Sequence, residues 1–239
     1  MDVIGFGHMD AYVNAWSYRA FHNLRALFTC IGALESAERA QVAANRIRDA
    51  FAAQLLNPET GWVAGWRSRD GTLHDYAFLW VNGPALAFGL LDDEPARTAL
   101  CRLERLRAEV GLGSAATGFP TNLLPIAADD QMAHIFTPLG QPSFELYTDG
   151  GLSGSASYYL RALDMYGLAD NARRLGAELL EGYRSRLFSG PIGGGQEFLT
   201  WEGFPTGSEG TLVVRLDSLS AIAVNAGITT PFSPEWWPE

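Results

Sequence analysis

The residues of this chain best suited to chemistry are acidic side chains set beside glycines and aromatic rings. Glu209 stands between Gly207 and Gly210, downstream of Trp201 and Phe204. Glycines let a ligand approach the backbone closely, and an aromatic ring offers a platform for the apolar face of a sugar. Glu202 follows Trp201 directly and Glu197 lies just before it, so three carboxyl groups compete for one role in this stretch. Asp10 follows the run Gly5 to His8, Asp149 precedes Gly150-Gly151 with Tyr147 just upstream, and Asp75 sits between His74 and Tyr76. Two carboxyl groups flanking a glycosidic bond can protonate the leaving oxygen and either activate water or attack the anomeric carbon. The acid of such a pair needs apolar or like-charged surroundings that raise its pKa. Each residue also has a plainer reading. Asp10, Asp75 and Asp149 are good helix N-caps, and a Glu at a helix start is favoured by the helix dipole.

Other chemistries find less support. There is no Cys-x-x-Cys motif and no Cys/His cluster, so no metal site is expected, and nothing in the sequence calls for a cofactor. Gly193-Gly194-Gly195 lacks the Lys-Ser/Thr that follows a phosphate-binding loop. Ser153 and Ser155 lack a Gly-x-Ser-x-Gly elbow, which argues against a serine hydrolase of that type. The four histidines, His8, His22, His74 and His134, are scattered, which disfavours a two-histidine sugar epimerase. His74 and Asp75 have the donors and acceptors to hold sugar hydroxyls, with Asp75 as an N-cap the alternative. Trp62 and Trp66 lie outside any helical period and are expected to form a binding wall, whereas Trp80 belongs to a helix and is expected in the core.

The chain as a whole narrows the partners. It has 239 residues, a formal net charge of −10, and 17 basic residues that are all Arg. An acidic chain with no basic tract is a poor ligand for nucleic acid or for an anionic membrane surface. No segment reaches the roughly 18 apolar residues of a membrane span. Cys30 and Cys101 both fall in apolar helical patterns and are expected to be buried thiols. Met1 to Asp10 lack the basic start and apolar run of a signal peptide, which implies a cytoplasmic protein if Met1 is the true start.

The elements that must position these side chains are mostly helical. Val13, Trp16, Ala20, Leu24, Leu27 and Ile31 predict one apolar face of a helix over 11–31, and Ala40, Ala43, Ala44, Ile47, Phe51 and Leu55 predict a second helix over 35–56. The short connection at Gly32 makes them antiparallel neighbours. Asn57-Pro58-Glu59-Thr60-Gly61 is a turn, and Asp70-Gly71 signals a hairpin, so a small β-excursion rather than a sheet is expected between them. Further helices are predicted over 75–91, 93–110 with Asp93 as N-cap, 151–167, 170–188 and 211–226. The aperiodic segments 111–148 and 190–210 are long enough to be functional. The alternation of helix pair and ornate loop predicts an all-α array of antiparallel hairpins with the loops gathered at one end.

Four stretches resemble the six-hairpin glycosidases, the (α/α)6 toroids of glucoamylase, α-L-rhamnosidase and glycogen-debranching type. They are Gly7-His8-Met9-Asp10-Ala11-Tyr12 leading into Val13–Arg25, Asn57-Pro58-Glu59-Thr60-Gly61-Trp62, Tyr147-Thr148-Asp149-Gly150-Gly151, and Trp201-Glu202-Gly203 with Gly207-Ser208-Glu209-Gly210. These families often write the third stretch as Glu-Asn-Gly-Gly, where this chain has Thr148-Asp149-Gly150-Gly151. The resemblance implies a glycoside hydrolase acting on an oligosaccharide or glycoside, with a general base in the late loop, Glu209, and a proton donor at the first helix, Asp10. It implies sugar contacts at Asp149, Trp66, His74, Asp75, Trp201, Glu202 and Tyr147. The alternatives on the same ring are a tyrosine-based polysaccharide lyase and a non-catalytic carbohydrate-binding or structural toroid fragment. About seven helices fall short of six hairpins. The chain therefore reads as a single toroid-like domain over 1–239, incomplete at its N-terminus, whose exposed inner faces call for an N-terminal companion domain or a homo-oligomer.

Overall fold

A computed structural model of the chain describes residues 4–131, 152–153, 157–190, 196–199 and 205–209, together with Ser220 and Ala223. Among them are six helices: α1 (Ala11–Cys30), α2 (Leu34–Leu55), α3 (Leu79–Ala87), α4 (Asp93–Glu109), α5 (Ser157–Met165) and α6 (Ala169–Arg184). The remaining regular structure is a set of short strands: β1 (Met9–Asp10), β2 (Trp66–Arg67), β3 (Leu73–His74), β4 (Phe119–Pro120), β5 (Leu152–Ser153), β6 (Gln196–Leu199) and β7 (Pro205–Glu209). The predicted helix over 211–226 lies outside the described residues except at Ser220 and Ala223, both of which are helical.

α1 with α2, and α5 with α6, form hairpins. Each turn is made by a glycine in the left-handed region, Gly32 at φ +74 and Gly167 at φ +78, where a side chain would be strained. α3 packs against α1 on one flank and against α5 on the other. Every residue of α3 is buried, which makes it the centre of an inner layer α1–α3–α5. Its approach to α5 depends on Gly83, where a Cβ would stand 2.9 Å from the Tyr159 backbone nitrogen. The fully buried Asn82 bonds both backbone groups of Val63, taking its N–H at 2.9 Å and donating to its carbonyl at 2.9 Å. A buried amide is tolerated because it is satisfied in this way, and it clips the 57–65 turn onto α3.

The strands lie where the inner helices begin. β1, β2 and β3 form one antiparallel sheet in that order, and β4, β5, β6 and β7 form a second. α1 follows β1 directly, α3 begins shortly after β3, and α5 begins shortly after β5. The second sheet is tied to the same place, because the Thr121 carbonyl beside β4 accepts from Leu79 N, the first residue of α3, at 3.0 Å. The inner helices therefore start at one end of the array, and the ornate loops collect there.

Several expectations are corrected. The helix predicted from 75 starts at Leu79, because Ala77 takes a left-handed φ of 52 and Phe78 is extended, neither of which continues a helix. The helix predicted from 151 starts at Ser157, since Leu152 and Ser153 pair in the second sheet. Asp93 is the first residue of α4, and the preceding Asp92 is its cap position. The 62–74 stretch joins a true three-stranded sheet because β1 adds to it. Cys30 and Cys101 are free and exposed, on outward surfaces of α1 and α4. Most informative is α1. It buries Ala11, Ala15 and Tyr18, while Val13, Leu24, Leu27 and Ile31 of the predicted apolar stripe are exposed, Leu27 to 54% and Ile31 to 66%. At 100° per residue that stripe lies on the face opposite the buried one.

Candidate functional site

Three of the sequence-predicted site residues stand in one cross-strand row. Asp10 of β1 pairs with Trp66 of β2, and Trp66 pairs with His74 of β3. Directly opposed residues of antiparallel strands share a face of the sheet. The His74 ring stacks on the Trp66 indole at 4.5 Å between centroids and 6° between planes.

Asp10 is both cap and half-buried acid. Its Oδ1 accepts from Val13 N at 3.0 Å, the geometry of an N-cap. Burial nonetheless raises its pKa above the ordinary 3.8, outweighing the backbone N–H groups of Val13 and Tyr12 that favour the charged form. A carboxyl held towards its protonated form at a helix start is what a proton donor requires.

Trp66 departs from the expected binding wall. It is only 1% exposed, packed by Phe6, Tyr76 and Phe78 as well as His74. Trp62 is buried too. A large aromatic ring on a half-covered strand gains most by burial, and the N-terminal segment supplies the cover. Gly7 lies flat on the indole, where a Cβ would come within 3.1 Å of Trp66 Cδ1.

Asp75 is likewise not an N-cap, since α3 starts at Leu79 with Phe78 as its cap. Its Oδ2 accepts from Asn57 Nδ2 at 2.8 Å and Thr60 Oγ1 at 2.9 Å, and its Oδ1 from Trp62 Nε1 at 2.7 Å and Ala77 N at 3.1 Å. Four donors saturate a carboxylate. Asp75 therefore holds the Asn57–Trp62 turn in place rather than presenting oxygen atoms to a sugar.

His74 has both ring nitrogens engaged. Nδ1 lies 2.6 Å from Asp130 Oδ2 and Nε2 lies 2.6 Å from Ser68 Oγ. Tyr76 donates its hydroxyl to the same Asp130 oxygen. Burial, followed by this bond to Asp130, pushes the Tyr76 phenol well above its ordinary value. Asp130 sits in a 3-10 turn, Ala128–Asp130, which is tied to the N-terminal segment by Gly5 N donating to the Asp130 carbonyl at 2.8 Å. Sequence reasoning does not single out Ser68 or Asp130. Asp130 is 56 residues from His74, inside an aperiodic segment, and only the adjacent pair Asp129-Asp130 hints at it.

Glu209 is the last residue of β7, with Gln196 as its partner on β6. The loop predicted over 190–210 thus contains a β-ribbon, and Glu209 ends a strand of it. Glu197 lies on β6. Tyr147, Asp149, Trp201 and Glu202 lie outside the described residues. Among the described residues, no group of His, Cys, Asp and Glu could hold a metal ion, and no helix is long and apolar enough to cross a membrane.

No protein-family model matches the chain, and no curated protein matches it. Solved structures do. Ninety per cent of the chain aligns with the GH63 mannosylglycerate hydrolase from Thermus thermophilus in complex with glucose, at a TM-score of 0.58 and 20% identity, over 46% of that chain. The same hydrolase in complex with Tris and D-glycerate gives a TM-score of 0.55 and 20% identity, with 89% of this chain and 45% of the other covered. A chain described as a sialidase gives a TM-score of 0.63 and 14% identity, covering 90% of this chain and 19% of that one. The fold is of the (α/α)-toroid type that these structures share. In toroid terms α1, α3 and α5 are inner helices, α2 and α6 pair with them as outer ones, and the two sheets crown the end where the inner helices start. The chain spans less than half the length of these structures.

Proposed function

We propose that this chain forms about half of a toroid glycoside hydrolase, with Asp10 as general acid and Glu209 as general base. The observation that carries the reading is Asp10. It lies at the sheet-bearing end of the inner helices, in a row with Trp66 and His74, and burial raises its pKa. The solved neighbours support a carbohydrate substrate, one of them being a mannosylglycerate hydrolase. In this reading Asp10 protonates the leaving oxygen while Glu209 activates a water molecule, with Glu202 and Glu197 as its competitors. Asp149, Tyr147, Trp201 and Glu202 contact the sugar. Trp66, His74 and Asp75 support the floor beneath them.

The other half of the ring would cover the exposed stripe of α1, Val13, Leu24, Leu27 and Ile31. A companion domain or a second copy of the chain fits that role. The lyase alternative is less well served. Tyr76, Tyr159 and Tyr166 are each pushed to higher pKa, first by burial, which opposes the phenolate a tyrosine base needs.

The test uses the full-length protein on a panel of aryl glycosides and oligosaccharides, comparing wild type with Asp10→Asn and Glu209→Gln. Each swap keeps size and removes the ionisable carboxyl. Loss of a general acid or base is expected to lower turnover roughly a hundredfold to ten-thousandfold. Turnover near wild type in Glu209→Gln would move the base to Glu202 or Glu197, and unsaturated products would replace hydrolysis by the lyase.

A further inference from the structure

The hydrogen-bond chain Ser68–His74–Asp130 has an order that the toroid reading does not use. Ser68 Oγ lies 2.6 Å from His74 Nε2, and His74 Nδ1 lies 2.6 Å from Asp130 Oδ2. A carboxylate only accepts hydrogen bonds. Nδ1 therefore carries the proton donated to Asp130, and in the neutral ring Nε2 presents its lone pair to the serine hydroxyl. That is the arrangement of nucleophile, base and orienting acid, which is recognised by geometry and not by place in the sequence. The base is held from three sides: by Asp130, by the Trp66 face stacked on its ring, and through Asp130 by the Tyr76 hydroxyl. Ser68 itself is half-buried, in the turn after β2. Beside it runs the backbone of Gly7, where a Cβ would stand 3.7 Å from Ser68 Oγ. Gly7 N and His8 N donate to no backbone acceptor among the described residues, outside the strand ladders.

We propose that Ser68 and His74, oriented by Asp130, form a second catalytic centre that cleaves esters of short acyl groups. Ser68 Oγ bonds to the acyl carbonyl carbon while its proton passes to His74 Nε2. The bond from that carbon to the alcohol oxygen then breaks, and the alcohol leaves with the proton from Nε2. Water adds to the acyl-serine, giving its proton to Nε2, and the carboxylic acid leaves as Oγ takes that proton back. The products are one alcohol and one acid, with no oxidant or further reactant consumed. The centre shares His74 with the floor of the proposed sugar site, but neither Glu209 nor Asp10 has a part in it.

A fluorophosphonate probe and p-nitrophenyl acetate test this on the protein as it is. The expected result is a covalent adduct on the Ser68 peptide and saturable release of p-nitrophenol. Ser68→Ala should lose the adduct and lower kcat at least about a hundredfold. Asp130→Asn, which acts through His74, should lower kcat while leaving KM within about twofold. The wild-type labelling needs no variant to fold, so an unlabelled Ser68 in a folded wild-type protein overturns the proposal. Ester turnover that survives in Ser68→Ala overturns it equally.

Discussion

At the residue scale, the carboxylates of this chain divide by what surrounds them. Asp75 meets four donors and is the anchor of a turn, whereas Asp10 meets the backbone N–H groups of its helix start and a burial that outweighs them. The difference makes a prediction. Asp75→Asn keeps the volume but turns an acceptor oxygen into a donor facing donors. It should cost about 2–3 kcal/mol of stability in urea unfolding, the scale of leaving half-buried polar groups unmatched. The Asn57–Trp62 turn should also become more open to proteolysis. A loss below about 0.5 kcal/mol would show that the turn stands without it.

At the element scale, the inner layer is set by how closely helices approach. Gly83→Ala puts a methyl group against the Tyr159 backbone, which has no rotamer by which to move away. Overpacking of this kind costs about 1–3 kcal/mol, and the thermal midpoint of the variant should fall accordingly. The outer layer depends on polar ties. Glu178 of α6 accepts from Ala115 N at 2.8 Å and from Arg174 at 2.7 Å. Burial alone would raise its pKa, but the Ala115 and Arg174 bonds prevail and hold it below the ordinary 4.5. A carboxyl depressed on folding stabilises the fold above the unfolded value and loses that effect as pH falls through the folded one. Glu178→Gln should therefore cost about 1 kcal/mol at neutral pH. The gap from wild type should narrow as pH falls below 4.5. Melts followed from neutral pH down into the acid range measure it, and a gap that stays constant would assign the effect to packing.

At the scale of the whole molecule, the open flank of α1 is the main feature. Val13, Leu24, Leu27 and Ile31 face solvent on the side away from the buried Ala11, Ala15 and Tyr18, while Trp16 of the same stripe packs on Phe88 and Tyr158. Leu34 at the start of α2 is exposed as well. Exposed apolar side chains gathered on one helix face are what a covering partner would bury. Replacing Leu27 and Ile31 together by Gln should leave the stability of the chain within about 0.5 kcal/mol, since neither side chain is buried. Where a second copy is what covers the stripe, the replacement should also abolish concentration-dependent association in sedimentation velocity. Association that persists unchanged would place the contact elsewhere.

What the sequence determined by itself was the helical alphabet of the fold. The apolar spacing in 35–56, the turn at Asn57–Gly61 and the glycine stops at Gly32 and Gly167 are local signals, written in residues a few places apart, and they fold as read. The N-cap geometry of Asp10 is local in the same sense. What only the tertiary structure decided is which apolar faces are covered and which polar atoms meet. The stripe on α1 has helical period whether or not a neighbour lies against it, so its exposure depends on elements beyond the helix. Trp66 has the same side chain in a wall or in a core, and the packing of Phe6 and Gly7 chose the core. His74 met Asp130 across 56 residues of chain, a distance over which no periodicity carries information, because the contact is made by the closing of two loops on one sheet.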